Sequence, residues 1–189
     1  ELGADAPALE HVARLLPTRH SVVAWGDLAR TAVSEAVAAL NHARATEGAA
    51  LFAALRTHAL TLRTLHARMS QRAGERLPLY REQLLKRLAD ILAGQTAITP
   101  EHIVRELAIY AERIDITEEL VRLAAHLDAL DGLLAGSGET GRKLDFLAQE
   151  LGREINTTGA KANDVALTAM VLDAKLALDQ LKEQAANVA

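Results

Sequence analysis

The sequence predicts an all-α protein: long antiparallel, coiled-coil-like helices with a smaller C-terminal helical bundle. Three observations predict it. Alanine and leucine, both strong helix formers, supply 38 and 32 of the 189 residues. Only five residues are aromatic, so the usual strand-forming side chains are scarce. Apolar residues also recur at helical spacing, at Leu51, Leu55, Leu62, Leu65 and Met69 and again at Leu167, Val171, Ala174, Leu178, Leu181 and Ala185.

The elements follow in order. Pro7 and Pro17 punctuate the start, with a short helix expected around His11–Leu16. Trp25-Gly26-Asp27 reads as a loop ending in an N-cap, because Asp27 can accept from the first free amides of a helix. The helix that follows runs from Leu28 to about Arg72 without proline, and His58 fills the one slot of its apolar seam that lacks a hydrophobe. Such a helix of roughly 45 residues is about 70 Å long, so part of it must project or pack against another long helix. Gly74 and Pro78 interrupt it. A second helix is expected to bury Leu84, Leu85, Leu88, Ile91 and Leu92 and to end near Gly94. Thr99-Pro100-Glu101 is a helix start, with Pro at the first turn and Glu at the positive dipole end. The helix it opens is expected to run unbroken to about Ala135, where Gly136-Ser137-Gly138 ends it. Another covers roughly Arg142–Asn156 and breaks at Thr157-Thr158-Gly159, and a last helix runs from about Ala162 to Ala186. These elements group as a long-helix arm, residues 1–98, and a C-terminal helical domain, residues 99–189.

Several classes fall away. With no cysteine there is no disulfide framework, thiolate zinc site or thiol nucleophile. No stretch approaches the roughly 20 apolar residues needed to span a bilayer, and no secretory signal opens the chain, so no membrane partner is expected. Charge is unevenly placed, however. Residues 44–87 are strongly basic and residues 88–189 strongly acidic, against an overall net charge of −4. A basic surface that attracts a polyanion beside a carboxylate-rich site fits this, and so do two oppositely charged helical faces packed together.

Two polar rows could carry chemistry. Glu112, Asp115, Glu119, Arg122 and His126 are spaced by three and four residues, which places all five on one face of a continuous helix. Asp145, Gln149, Arg153 and Asn156 share a face of the next helix, with Glu150 and Glu154 beside it. Together the rows offer metal ligands or a base, an anion stabiliser and an acid, and facing each other they would enclose a polar cleft. A solvated face laced with ion pairs such as Glu119–Arg122 accounts for the same spacing. His11, His20, His42, His66 and His102 read as surface residues.

The segments AERIDITEELVRLAAHL (111–127) and GRKLDFLAQELGREINT (141–157), with Lys161 and Asp164 after them, closely resemble the C-terminal signature of the YicC-like family. ARATEGAAL (43–51) resembles that family's long-helix segment. The family pattern has Asn where this chain has Gly152, and Ser where it has Ala125 and Ala160. The resemblance implies a C-terminal portion of a bacterial cytoplasmic endoribonuclease that uses a divalent metal, often manganese, and assembles as a homo-oligomer with long helical arms around RNA. It implies a metal-dependent RNA phosphodiesterase, with magnesium as the other suitable ion. Asp115, Glu119, Arg122, His126 and Arg153 are then the catalytic candidates. Glu119, His126, Asp145, Glu150 and Glu154 are the candidate metal ligands. Arg56, Arg63, Arg68, Arg72, Arg76, Gln149, Asn156 and Lys161 are the candidate RNA contacts. A non-catalytic RNA-binding adaptor and a helical oligomerisation module are the alternatives.

Overall fold

The Ala- and Leu-rich composition is realised as helix almost throughout. The computed structural model describes residues 19–92, 99–136 and 141–187. Five helices run through them: α1, Arg19–Leu92; α2, Pro100–Ile114; α3, Thr117–Ala135; α4, Gly141–Ala160; and α5, Val165–Ala185. There is no strand among the described residues. The expected features at Pro7, His11–Leu16, Pro17, Gly94 and Ser137-Gly138 lie outside them.

The chain divides into two units, Glu1–Gly48 and Ala49–Ala189. In the first, every side chain from Trp25 to Gly48 is exposed. Trp25-Gly26-Asp27 is helical rather than a loop, and Asp27 pairs with Arg30 at 3.1 Å instead of capping. An exposed pair one turn apart suits the helix interior, where Asp27 finds no free amides to cap.

The second unit is built on the predicted seam. Leu55, Ala59, Leu62, Leu65 and Met69 of α1 are buried in one core with Leu123, Leu127 and Leu130 of α3, Leu147, Leu151 and Ile155 of α4, and Leu167, Leu178 and Leu181 of α5. Side-chain partners give the directions. Arg63 reaches Asp128 and Asp131, His66 reaches the Leu120 carbonyl, and Arg76 reaches the Ile114 carbonyl, so α1 and α3 are antiparallel. The seams of α3 and α5 pack on α4, and α4 and α5 approach so closely that a Cβ at Gly159 would come within 3.0 Å of Val171 Cγ1. This is a four-helix layer-on-layer arrangement around a/d-type positions.

Five expectations are corrected by side-chain contacts, some local and some tertiary. α1 does not stop at Gly74 or Pro78 but continues to Leu92. An interior proline costs a helix about 3 kcal/mol, and contacts on both sides offset it: the Leu55–Met69 seam before Pro78, and after it Tyr80 stacked on Tyr110 of α2 with ring centroids 3.6 Å apart. The helix expected from Thr99 to Ala135 is two. Asp115 is extended and its Oδ1 accepts from the Thr117 amide at 2.9 Å, so the side chain competes with the helical ladder and starts α3 afresh. α4 continues through Thr157-Thr158-Gly159 to Ala160, because Thr158 is packed in the core and the Thr157 hydroxyl returns to the Arg153 carbonyl. α5 accordingly starts later, at Val165, capped by Asp164 Oδ1 accepting from the Leu167 amide at 2.8 Å. His66, expected at the surface, is half-buried and hydrogen-bonded to the Leu120 carbonyl at 2.9 Å.

Candidate functional site

α3 and α4 run antiparallel, so polar residues at matching depths meet across their edge. Three rungs form in order. His126 Nε2 lies 4.0 Å from Glu150 Oε2, Arg122 Nη1 lies 3.9 Å from Glu154 Oε1, and Lys161 Nζ, just past α4, donates to Glu119 Oε1 at 2.7 Å. Steps of three and four along α3 and of four along α4 keep these groups on the facing sides, directly beside the seam of Leu123, Leu127, Leu151 and Ile155.

That closeness to the core makes the carboxylates unusual. Glu154 and Glu119 keep only 4% and 8% of their side-chain surface. Buried carboxylates need charge or hydrogen-bond compensation. Glu119 receives Lys161, whose ammonium is held charged to higher pH than usual by the hydrogen bond it donates to Glu119. Its second oxygen, Oε2, is buried without a partner. Glu154 has Arg122 only at 3.9 Å, beyond hydrogen-bond reach, because the guanidinium bonds instead to Glu118 one turn back. The ligand atoms of His126, Glu150 and Glu154 all lie within 4.8 Å of one another. One imidazole and two close, under-compensated carboxylates form a hard nitrogen and oxygen donor set, which fits a divalent ion such as Mn or Mg.

Of the five residues named from sequence as metal ligands, His126, Glu150 and Glu154 are therefore brought together. Glu119 is in the same row but tied to Lys161, and Asp145 is exposed near the start of α4. The row from Glu112 to His126 is not one stripe, because the helix ends at Ile114. Glu112 and Asp115 belong to α2 and its cap, where the Thr117 hydroxyl and amide hold the Asp115 carboxyl below its usual range. Gln149, Arg153 and Asn156 are exposed, whereas Glu150 and Glu154 form the face of α4 turned toward α3. At Gly152 a Cβ would stand 3.2 Å from Leu178 Cδ2, so the Asn of the family pattern would crowd α5.

The arginines divide by environment. Arg56 and Arg68 are exposed, Arg56 with its guanidinium 5.9 Å from the Phe52 ring centre. Arg63 bridges Asp128 and Asp131 at 2.6 Å each, and Arg72 binds both oxygens of Asp164 at 2.7 and 3.1 Å. Arg76 does not stand as a surface cation: it is 4% exposed and donates to backbone carbonyls. Sequence spacing carried a signal for this, since Arg76 follows Leu55, Leu62 and Met69 at intervals of seven and so falls on the buried seam. The partnership of Arg122 with Glu118 carried one too, their spacing of four with the acid first, although the expected pair was Glu119–Arg122; the buried hydroxyl of Thr158 carried none.

A family model described as endoribonuclease YicC-like, C-terminal, matches residues 69–189. A Clostridioides difficile (strain 630) protein named probable endoribonuclease YicC is 32% identical over 157 residues, 83% of this chain and 54% of that protein. A Haemophilus influenzae protein of the same name is 39% identical over 108 residues, 57% of this chain and 37% of that protein. The chain spans about half or less of the length of these relatives. With α2 to α5 and the whole polar row inside the matched region, the chain belongs to the YicC-like endoribonuclease family.

Proposed function

We propose that the chain is the catalytic, C-terminal portion of a metal-dependent endoribonuclease of the cytoplasm, with its divalent ion, manganese or magnesium, held by His126, Glu150 and Glu154. The observation that carries this is the convergence of one imidazole and two carboxylates from α3 and α4 within 4.8 Å, one of them buried. A divalent ion there would supply Lewis-acid charge to a phosphodiester. Next along the row, Arg122 and Lys161 offer cationic donors to phosphate oxygens, and Arg122 is half-exposed, so it can leave Glu118 for a stronger anion. Glu119 keeps Lys161 charged and aimed into the row. Exposed Arg56 and Arg68 on α1, and Gln149, Arg153 and Asn156 on α4, are the RNA contacts, residues 1–98 acting as the arm and 99–189 as the chemical part. Copies associate through α1, which is supported by exposed Trp25, Leu28, Val33, Val37 and Leu40.

Labelled single-stranded RNA, incubated with metal-stripped protein and then with added MnCl2, tests the reading. Cleavage that needs the metal and is lost in His126→Ala and Glu154→Gln supports it. A specific observation favours a non-catalytic RNA-binding adaptor: two of the three rungs already set a carboxylate against a permanent cation, Glu154 against Arg122 and Glu119 against Lys161. RNA binding with no metal-dependent cleavage, and no metal-induced stabilisation, would establish the adaptor instead.

A further inference from the structure

Arg76 occupies a position where the pattern of α1 calls for a hydrophobe. Leu55, Leu62 and Met69 precede it at intervals of seven, each nearly or fully buried, and Arg76 is 4% exposed like them. No carboxylate accepts from its guanidinium. Burial pushes its pKa down, though an arginine remains charged. Its acceptors are three main-chain carbonyls. Nη1 donates to Lys161 O at 3.2 Å and to Ala162 O at 2.7 Å, while Nη2 donates to Ile114 O.

Those carbonyls are not scattered. Ile114 is the last residue of α2, and Lys161 and Ala162 directly follow α4. Helix C-terminal ends carry unpaired carbonyls and partial negative charge, which a buried cation satisfies. One guanidinium therefore joins two helix ends that are remote in sequence. α3 begins three residues after Ile114 and carries Glu119 in its first turn. The Lys161 whose carbonyl Arg76 holds is the residue whose ammonium reaches Glu119 at 2.7 Å. One turn earlier, Arg72 grips both oxygens of Asp164, so the link 161–164 is held at both ends, with Asn163 between them at φ 40°.

We infer that Arg76 is a positioning residue: by bonding the ends of α2 and α4 together it sets the register in which Lys161 meets Glu119 and is aimed along the polar row. This rests on the proposed RNA-cleaving function, in which Lys161 contacts phosphate. A purely space-filling role for Arg76 would make any loss on substitution a matter of overall stability alone.

The test is a set of mutant cycles on the full chain. Arg76→Lys retains charge and length but not the fork that spans two helix ends. The coupling between Glu119→Gln and Lys161→Met is measured by urea unfolding in the parent and again in the Arg76→Lys background. The inference expects coupling in the parent and its disappearance in the variant; coupling that persists unchanged overturns it. The second readout is the salt dependence of binding to a labelled single-stranded RNA. Lys161→Met should flatten the slope by about one phosphate contact, Arg76→Lys should do the same although Arg76 is buried, and the double variant should lose about one rather than two. An Arg76→Lys protein of lower stability but unaltered slope overturns the inference. Should Lys161→Met itself leave RNA binding untouched, the proposed function fails at that residue, while the unfolding cycle still judges Arg76. If Arg76→Lys does not fold, Arg76→Met, which fills the apolar seam but donates to neither helix end, takes its place, and the same two readouts apply.

Discussion

Replacing Glu150 by Gln separates a metal site from a row of ion pairs by the sign of its effects. In the metal-free protein the Glu150 and Glu154 ligand oxygens lie within 4.8 Å of each other. At an effective dielectric of 20 their repulsion is about 3.5 kcal/mol. Against it stands the attraction of Glu154 to Arg122 at 3.9 Å, about 4 kcal/mol on the same scale, which the substitution leaves in place. His126 at 4.0 Å offsets Glu150 only when protonated. After discounting for solvent at the 28% exposed Glu150 side chain, removing its charge should stabilise the metal-free protein by roughly 1 kcal/mol, or about 2–4 °C in Tm for a chain of this size. With a divalent ion at 100 times its Kd, the parent should gain about 2.7 kcal/mol and the variant much less, having lost one of three ligands. Thermal unfolding in EDTA and across a MnCl2 series at neutral pH reads both quantities. A Glu150→Gln protein that melts lower in EDTA, or that responds to manganese as the parent does, refutes the reasoning: the first outcome makes the His126–Glu150 pair dominant, the second places the ion elsewhere.

Other outcomes follow from the same geometry. Leu151→Ala, at a fully buried position, should cost about 2–5 kcal/mol in urea unfolding and leave the salt slope of RNA binding unchanged. The Arg72 guanidinium holds the Asp164 carboxyl below its usual range. Its stabilisation is therefore complete above the ordinary carboxylate pKa and lost as pH falls through the lower folded value; Asp164→Asn should lower Tm at neutral pH and flatten the acid limb of a Tm–pH profile. Arg56→Ala with Arg68→Ala should weaken binding to every RNA sequence alike and reduce the salt slope by about two, with stability within about 0.5 kcal/mol of the parent. Light scattering at high micromolar concentration should find an oligomer, and a monomer there would remove the association through α1 from the proposal.

The residues that answered to local rules were legible one by one. Leu55 to Met69 and Leu167 to Ala185 repeat at helical spacing and are buried as that spacing requires. Pro100 stands at the first turn of α2, and Gly136 follows the last residue of α3. Where local signals conflicted with distant contacts, the distant contacts prevailed. Gly74 and Pro78 read as a stop because the ring removes a donor, yet Tyr80 is held on the far side by Tyr110. One local contact also outweighed the helical pattern: Asp115 read as one more residue on a helical face, yet its carboxylate took the amide of Thr117, two residues on, and ended the helix there.

The candidate centre shows the same division. Composition and period determined that the chain is helical and which side chains form its seams; they set the carboxylates, His126 and Arg122 opposite those seams, whereas packing buries Glu119 and Glu154 directly beside them. Spacing on one helix fixes only the angle of a side chain about that helix's own axis. Which carboxylates meet His126 depends on the depth at which α4 packs on α3, and that is set by interdigitation of Leu123, Leu127, Leu151 and Ile155. Hence Glu150 and Glu154 arrive at the imidazole while Asp145 and Arg153 remain outside. The fate of the arginines was decided in the same way. Their charge is a property of sequence, but whether a guanidinium is left for RNA depends on carboxylates and carbonyls up to 92 residues away. Arg63, Arg72 and Arg76 found such partners, because a charge close to the core cannot forgo compensation, and Arg56 and Arg68, out in water, needed none.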